Sequence, residues 1–401
     1  MTHPQESSNP ASARLTSAEP DDETFRRELR AWLAAHLVGE FASIPGIGFA
    51  SDDRYPSIRI AWEKELVKGG WLGLTWPVEY GGRGFGINKE IILLEEVTRA
   101  RAPKWFGGPG RDLLAPMLLQ FGTPAQKQRF LPSIMHVEEL WGQGFSEPGA
   151  GSDLASVRTR AERRDGRWVI NGQKIWMTFG NSADWMFLLC RTDPDAPKHR
   201  GLTMLLVDAH QPGVSTRPIR TMIGTSEFAE VFFTDAVTND DLVLGTLNEG
   251  WRVAMNTVTW ERALTALPYE INFEHQFMQL VEHVRASGKS TDPVVRDRMA
   301  QSWISLRALR CNTQRMLDHL HVHGELPMSS SVSKLLWASW HQEFGQLAAE
   351  LAGTESLFVG PDYDLTPFQD ILLGSRAETI YGGSHEIQKN IISERVLGLP
   401  R

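Results

Sequence analysis

The sequence predicts a mixed α and β fold in three parts. These are an N-terminal helical domain over residues 23–140, a central β-domain over 141–246 and a C-terminal helical bundle over 247–401, behind a disordered lead-in at 1–22. Three observations carry the prediction. Apolar residues recur at three- and four-residue steps up to about Glu139. The spacing turns strand-like from Trp141 to about Gly245, with turn signals between the runs, and the helical step returns from Asn248 to Leu397. A chain of 401 residues is long enough to pack two or three layers around a large core.

The lead-in, rich in Ser, Pro, Ala and Glu, has too little apolar content to order itself. In the first part, Phe25, Leu29, Trp32 and Leu33 form one helical stripe, and Ile60, Trp62, Leu66 and Val67 another. Gly69-Gly70 and the stretch Pro77–Gly86 break the pattern, and Asn88–Val97 resumes it. Thr123-Pro124-Ala125-Gln126 reads as an N-cap, a first-turn proline and a polar third position, which opens a helix. In the second part, Trp168-Val169-Ile170 is a strand between the turn signals Arg164-Asp165-Gly166 and Asn171-Gly172. Met186–Cys190, Leu202–Val207 and Val231–Phe233 read as buried strands. In the third, Trp251–Leu267, Phe273–Val284, Asp292–His321, Ser331–Leu351 and Ser384–Leu397 predict five long helices, hence a bundle.

Composition narrows the function. An apolar fraction of 41% with 22% charged residues is that of an ordinary globular chain. A net charge of −8 argues against nucleic acid as the main partner, because neutralising phosphates needs a basic surface. Cys190 and Cys311 stand alone, without the spacing of a metal site or a disulfide framework, so no metal is expected and both read as buried reduced thiols. No run approaches the roughly 18 apolar residues of a membrane span. The N-terminus lacks a signal peptide's basic start and apolar core, and the expected location is cytoplasmic.

Two segments carry the chemistry: Phe145-Ser146-Glu147-Pro148-Gly149-Ala150-Gly151-Ser152-Asp153 and Ile380-Tyr381-Gly382-Gly383-Ser384-His385-Glu386. The first is a loop of small residues that lets backbone amides approach a polar ligand, although an ordinary surface turn has the same look. Trp176 and Thr178 lie two apart in a strand and so on one face, which suits a flat ligand or simply a half-buried sheet tryptophan. With Trp76–Gly82 and Asn171–Thr178, these segments resemble, in order, four signatures of the acyl-CoA dehydrogenases. The resemblance runs from about Glu23 to Arg401.

The resemblance implies that family's fold, an FAD cofactor and α,β-dehydrogenation of an acyl-CoA to a trans-2-enoyl-CoA. It also implies electron-transfer flavoprotein as the acceptor and a homo- or hetero-tetramer. It places Gln143, Phe145 and Ser146 at the isoalloxazine, with Trp176 and Thr178 stacking on it and hydrogen-bonding it, Thr178 near N5, and counts Met177 among the cofactor-binding residues. Gly151 and Ser152 fall at the cofactor and CoA arm, and Arg285, Gly383, Ser384 and Glu386 at the rest of FAD. Arg262 falls at the substrate site.

One departure is informative. Many members carry the catalytic glutamate directly after the tyrosine, where this chain has Gly382. A branch similar to isovaleryl- and long-chain acyl-CoA dehydrogenases instead puts the base just before an arginine on a bundle helix, and Glu261-Arg262 matches it. Stepping by three and four places Ala254, Val258, Glu261 and Thr265 on one stripe, where a glutamate is either functional, paired, or solvated. The resemblance leaves Gly382 its backbone amide as a donor to the thioester carbonyl.

Two further segments depart from the family pattern for gripping the FAD adenosine from a neighbouring subunit: Arg285-Ala286-Ser287-Gly288-Lys289 and Glu350-Leu351-Ala352-Gly353-Thr354. These features are similar to an actinobacterial subgroup that includes enzymes of steroid side-chain degradation, some of them heterotetramers of unlike subunits. Two alternatives therefore stand beside the dehydrogenase: a non-catalytic partner subunit, and an oxidase-like flavoprotein.

Overall fold

The computed structural model describes residues 19–44, 46, 53–323, 327 and 330–400, and the side chains of 256–266 lie outside that description. Helix α1 (Asp22–His36) starts where the Asp21 carboxylate accepts from the Thr24 amide at 2.9 Å. It buries the expected stripe of Phe25, Leu29, Trp32 and Leu33. That stripe packs on Trp62 and Leu66 of α2 (Pro56–Lys68) and on Ile92, Leu93 and Val97 of α3 (Ile87–Arg99). Glu19 lies 3.4 Å from the Lys89 ammonium and Asp22 also pairs with it, so packing begins ahead of residue 23.

A π-helical turn, Pro109–Leu114, leads into α4 (Ala115–Phe121) and α5 (Pro124–Met135). Such turns interrupt the regular ladder and recur at functional sites. Here it is held by charge. Fully buried Glu63 accepts from Gly107 N at 2.9 Å and from Arg111 Nη1 at 2.8 Å, and Arg111 lies 4.0 Å from the Trp105 ring centre. The α5 cap is the predicted reciprocal pair, with Gln126 N donating to Thr123 Oγ1 at 3.2 Å and Thr123 N to Gln126 Oε1 at 3.0 Å. The Gln126 amide then reaches the carbonyls of Asp241 and Val243, tying this domain to the next.

The β-domain is one eight-stranded sheet. Its strands are β1 (Trp141–Gly144), β2 (Arg160–Arg164), β3 (Arg167–Thr178), β4 (Trp185–Arg191), β5 (Leu202–Asp208), β6 (Val214–Ile219), β7 (Phe228–Asn239) and β8 (Val243–Leu244). The order is β6-β7-β3-β2-β4-β5-β8, with β1 parallel to β4. Asp165 and Gly166, at φ 50° and 78°, make the predicted tight hairpin between β2 and β3. Asn171-Gly172 corrects the sequence reading. It is no turn but a bulge inside β3, where a Cβ on Gly172 would stand 2.7 Å from Thr159 Cα. Alternation splits β4 between two cores. Phe187 and Leu189 join the N-terminal core, while Met186, Leu188 and Cys190 join the core on the other face. Cys190 is inert there, because burial pushes its thiol up to about 12. Cys311, expected to be buried, is exposed.

In the bundle, two predicted helices are one. Helix α6 (Gly250–Ala286) runs 37 residues straight through Pro268. Apolar burial on both sides of the proline outweighs the missing hydrogen bond: Val253 and Ala254 anchor the first turns, and Phe273, Phe277 and Leu280 the second half. Helices α7 (Pro293–His323) and α8 (Ser330–Ala352) follow, then α9 (Pro367–Glu378) and α10 (His385–Ile391). Helix α9 is absent from the sequence prediction. Its signal was present, since Thr366-Pro367-Phe368-Gln369 repeats the α5 cap pattern and makes the same reciprocal bonds at 3.3 and 2.8 Å. No helix among the described residues is long and apolar enough to cross a membrane.

One carboxyl inside the bundle makes stability depend on pH. Burial pushes Glu270, 5% exposed, up to about 7, and Arg310 stays 3.7 Å away. Its folded value lies above the ordinary 4.5, so its contribution is full below 4.5 and is lost as the pH rises towards about 7. Urea midpoints of Glu270→Gln should therefore lose the decline that the parent shows across that window, and the variant should be the more stable of the two at pH 8.

Candidate active site

Lys174 organises the site. Its side chain is 0% exposed, and its ammonium donates to three acceptors: Phe145 O at 3.0 Å, Glu147 Oε1 at 2.9 Å and Leu189 O at 2.7 Å. All three of its protons are thus satisfied, which is the condition for burying such a charge. Glu147 also accepts from Arg158 N at 2.6 Å and Thr159 N at 2.8 Å. Burial alone would raise this carboxyl, but Lys174 and the hydrogen bonds outweigh it and hold it below the ordinary range. The Gly-rich loop closes on itself through paired backbone bonds between Glu147 and Ala150 at 3.1 and 3.0 Å. Its tip, with Gly151 and Ser152, is exposed.

Beside this turn the end of β3 carries a platform. Ile175 N donates to Ser146 O at 2.9 Å, which sets Ser146 against the strand. Between Lys174 and Met177 the register slips, and Trp176 takes φ 59°, rare for a bulky side chain. The indole is 55% exposed, with the Phe228 ring edge-on at 6.0 Å. Thr178, two residues on, is half-buried. Met177 corrects the sequence reading. Its side chain is fully buried in the second core, against Gly142 and Gly180, so only its backbone borders the platform. Phe145 is likewise a core side chain, edge-on to Phe187 at 5.9 Å.

The second signature closes α9 onto α10. Gly382 and Gly383 take φ 63° and 89°, conformations open to glycine. The Gly382 carbonyl accepts from Gln388 Nε2 at 3.1 Å, and its N–H donates to nothing among the described residues. Ser384 caps α10, accepting from Ile387 N at 3.4 Å, and Glu386 is exposed. Glu261 and Arg262 lie in α6, but their side chains are outside the described residues.

The two altered segments meet in space. The Lys289 ammonium donates to Leu351 O at 2.5 Å, Glu350 pairs with Arg298 at 2.5 Å, and Arg285 is exposed in the last turn of α6.

The residues present fit a flavin. The Gln143 amide and the Ser146 and Thr178 hydroxyls carry no hydrogen bond among the described residues, and the first two follow one another closely along the chain beside the exposed indole. A flat heteroaromatic ring with polar edges needs one stacking face and a row of free donors and acceptors. Sequence reasoning named this row but gave Lys174 no role, although that residue sits inside a quoted motif.

A helical domain, a β-domain with such a platform and a bundle are the parts of a flavin-dependent oxidoreductase. Family models match all three: acyl-CoA dehydrogenase N-terminal domain over 19–138, middle domain over 142–236 and C-terminal domain over 248–397. The chain belongs to the acyl-CoA dehydrogenase family, and its cofactor is FAD. It is 47% identical over 382 residues to acyl-CoA dehydrogenase IpdE1 of Mycobacterium tuberculosis, covering 95% of this chain and 98% of that one. Among solved structures it is similar to the Tcur3481-Tcur3483 steroid ACAD, with TM-score 0.83 and 29% identity over 96% of this chain and 99% of that one. It is also similar to the ChsE4-ChsE5 complex from Mycobacterium tuberculosis, with TM-score 0.78 and 27% identity over 96% and 99%.

Removing one partner of the buried pair is the sharpest structural perturbation. Lys174→Met strands the Glu147 carboxylate and should cost about 3–5 kcal/mol in urea unfolding at pH 7. Adding Glu147→Gln should recover part of that loss. The Glu147 contribution is present above the ordinary carboxylate range and is lost as the pH falls through its lowered folded value, so the single variant's deficit should shrink in acid.

Proposed function

We propose that this chain oxidises an acyl-CoA thioester across Cα–Cβ to the trans-2-enoyl-CoA, with Glu261 as the base and the Gly382 amide as the carbonyl's donor. The observation that carries this reading is the Gly382 N–H. It is free among the described residues, in a turn whose carbonyl is tied down by Gln388. A fixed donor aimed at the thioester oxygen stabilises the charge that develops there as the α-proton leaves. FAD, when bound, takes the hydride from Cβ.

The chain's own residues do the rest. Gln143, Ser146 and Thr178 orient the ring's polar edge, and Trp176 covers one face. Gly151, Ser152 and Arg262 meet the CoA arm and substrate, while Arg285, Gly383, Ser384 and Glu386 serve the remainder of the cofactor. A carboxylate on α6 takes the proton, because a glycine at 382 has no group to do so. General-base help of this kind is worth about 10²–10⁴-fold.

The similarity to proteins described as steroid ACADs supports a bulky, polycyclic acyl group as the substrate class. Electron-transfer flavoprotein is the proposed acceptor. A second reading is favoured by one observation. The segments 285–289 and 350–354 are tied to each other and to Arg298, and related structures are complexes of two named chains, which fits a subunit that needs an unlike partner.

Anaerobic mixing with straight, branched and steroid-like acyl-CoAs should bleach the flavin of the chain alone with one class, and Glu261→Gln should slow that bleaching by at least about 100-fold. Bleaching at the parent rate would remove Glu261 as the base. A chain that is colourless alone and yellow with a partner would establish the second reading, and rapid peroxide release in air would mark an oxidase.

A further inference from the structure

The turn that offers Gly382 is gripped from one side by a single helix. Lys334, on α8, is 6% exposed. Its ammonium lies 4.3 Å from the Trp337 ring centre and 4.5 Å from that of Tyr381, and it donates to the carbonyl of Glu378, the last residue of α9. A cation at a helix C-terminus meets carbonyls left without partners and the negative end of the dipole, and the two rings hold it in place. Seven residues further along the same helix, His341 Nδ1 lies 2.8 Å from the Glu378 carboxylate and Nε2 2.9 Å from Gln276 Oε1. Gln342 donates to Thr379 Oγ1 at 2.9 Å. Residues 378, 379 and 381 are therefore each held by α8. A Cβ built on Gly382 would stand 3.8 Å from Lys334 Cε, so the lysine stem lies directly against the turn.

We infer that Lys334 is the positioning residue of the thioester-carbonyl site. It fixes the Tyr381–Gly382 peptide, whose N–H is the free donor, and it lays a positive charge behind that donor. This rests on the reading of Gly382 given under Proposed function. A preorganised donor gains most when its carrier cannot turn away and when nearby charge has the same sign as the donor's proton. A lysine that only caps α9 would affect stability without affecting recognition of the carbonyl, and that difference separates the two roles.

The test is a ratio of affinities measured by calorimetry on the purified full-length chain. The probes are the 2-enoyl-CoA thioester of a polycyclic side-chain acid, and the S-alkyl-CoA thioether of the same skeleton without the carbonyl. The parent should bind the thioester about tenfold more tightly, the worth of one good hydrogen bond to a carbonyl. In Lys334→Met the ratio should fall to within about twofold of one, with thioether affinity unchanged. Lys334→Arg, which keeps the charge, should restore part of it, and Tyr381→Leu, which removes one wall at a half-exposed position, should lower it even if Lys334→Met does not fold. A parent ratio near one, or no binding of either probe, sinks the Gly382 reading and the role of Lys334 with it. A parent ratio of ten that persists in Lys334→Met, or in Tyr381→Leu where that is the only folded variant, overturns the role of Lys334 and leaves the Gly382 reading standing.

Discussion

The buried ammonium of Lys174 is the constraint on which the site depends. It joins three stretches of chain that are remote in sequence: the exit of β1 at Phe145, the loop carboxylate of Glu147 and the middle of β4 at Leu189. An apolar residue there would fill space but take a donor from two carbonyls and the countercharge from a buried carboxylate, each at a cost of about 1–3 kcal/mol or more. With the lysine present, the loop cannot lift from the sheet without exposing a charge pair. That rigidity lets an exposed loop of small residues keep one shape.

The platform follows from that fixed point. Phe145 and Ser146 are pinned to Lys174 and Ile175 of β3 at the start of the loop, and the strand's last residues turn beside them. The register slip before Met177 and the positive φ of Trp176 are where the turn is taken. Local strain of this kind persists when the surroundings over-determine it, and a fully buried Met177 beside it supplies that determination. The result is an indole held in solvent by a buried neighbour, so the platform stands ready before a ligand arrives. The bundle is registered against the same sheet. Asn248 N donates to Thr203 Oγ1 at 2.9 Å, and Gly250 approaches so closely that a Cβ would meet Thr203 C at 2.6 Å. Helix α6, which carries Glu261, thus begins at a point fixed by β5.

What the sequence disclosed and what it withheld differ in kind. The α1 stripe, the α5 cap, the β2–β3 hairpin and the alternation of β4 are local patterns, and the three-part order rests on such patterns alone. The bulge at Gly172 was misread because Asn-Gly has the same local signature in a turn and in a bulge, and only the approach of Thr159 decides between them. The helix through Pro268 was read as two, because the cost of a proline is local while the burial that repays it comes from residues on other helices. Helix α9 repeated a signal already recognised at Thr123 and was simply missed. In the site, Gln143, Ser146, Trp176 and Thr178 were legible as a motif. The partners of Lys174, and those of Lys334 other than Trp337 one helical turn along, were not, since they lie far along the chain.

The proposed base on α6 and the proposed donor on the α9–α10 turn would place two tasks on two elements with different mechanical properties. A residue that must take a proton from a small region of space gains from a long helix, where 37 residues share the load and Val253 and Ala254 anchor the first turns in the core. A donor that must follow an oxygen through a change of charge gains from a turn whose glycines allow an unusual backbone and whose position is set by side chains beneath it. Had the carboxylate stood at 382, its Cβ would have left a backbone at φ 63°, costly for any residue but glycine, towards the buried stem of Lys334. Placing it on α6 leaves that turn free to be glycine and leaves the lysine's charge to the α9 carbonyl and the two rings. The missing side chain at 382 is therefore consistent with the turn around it, which Lys334, His341 and Gln342 hold from α8.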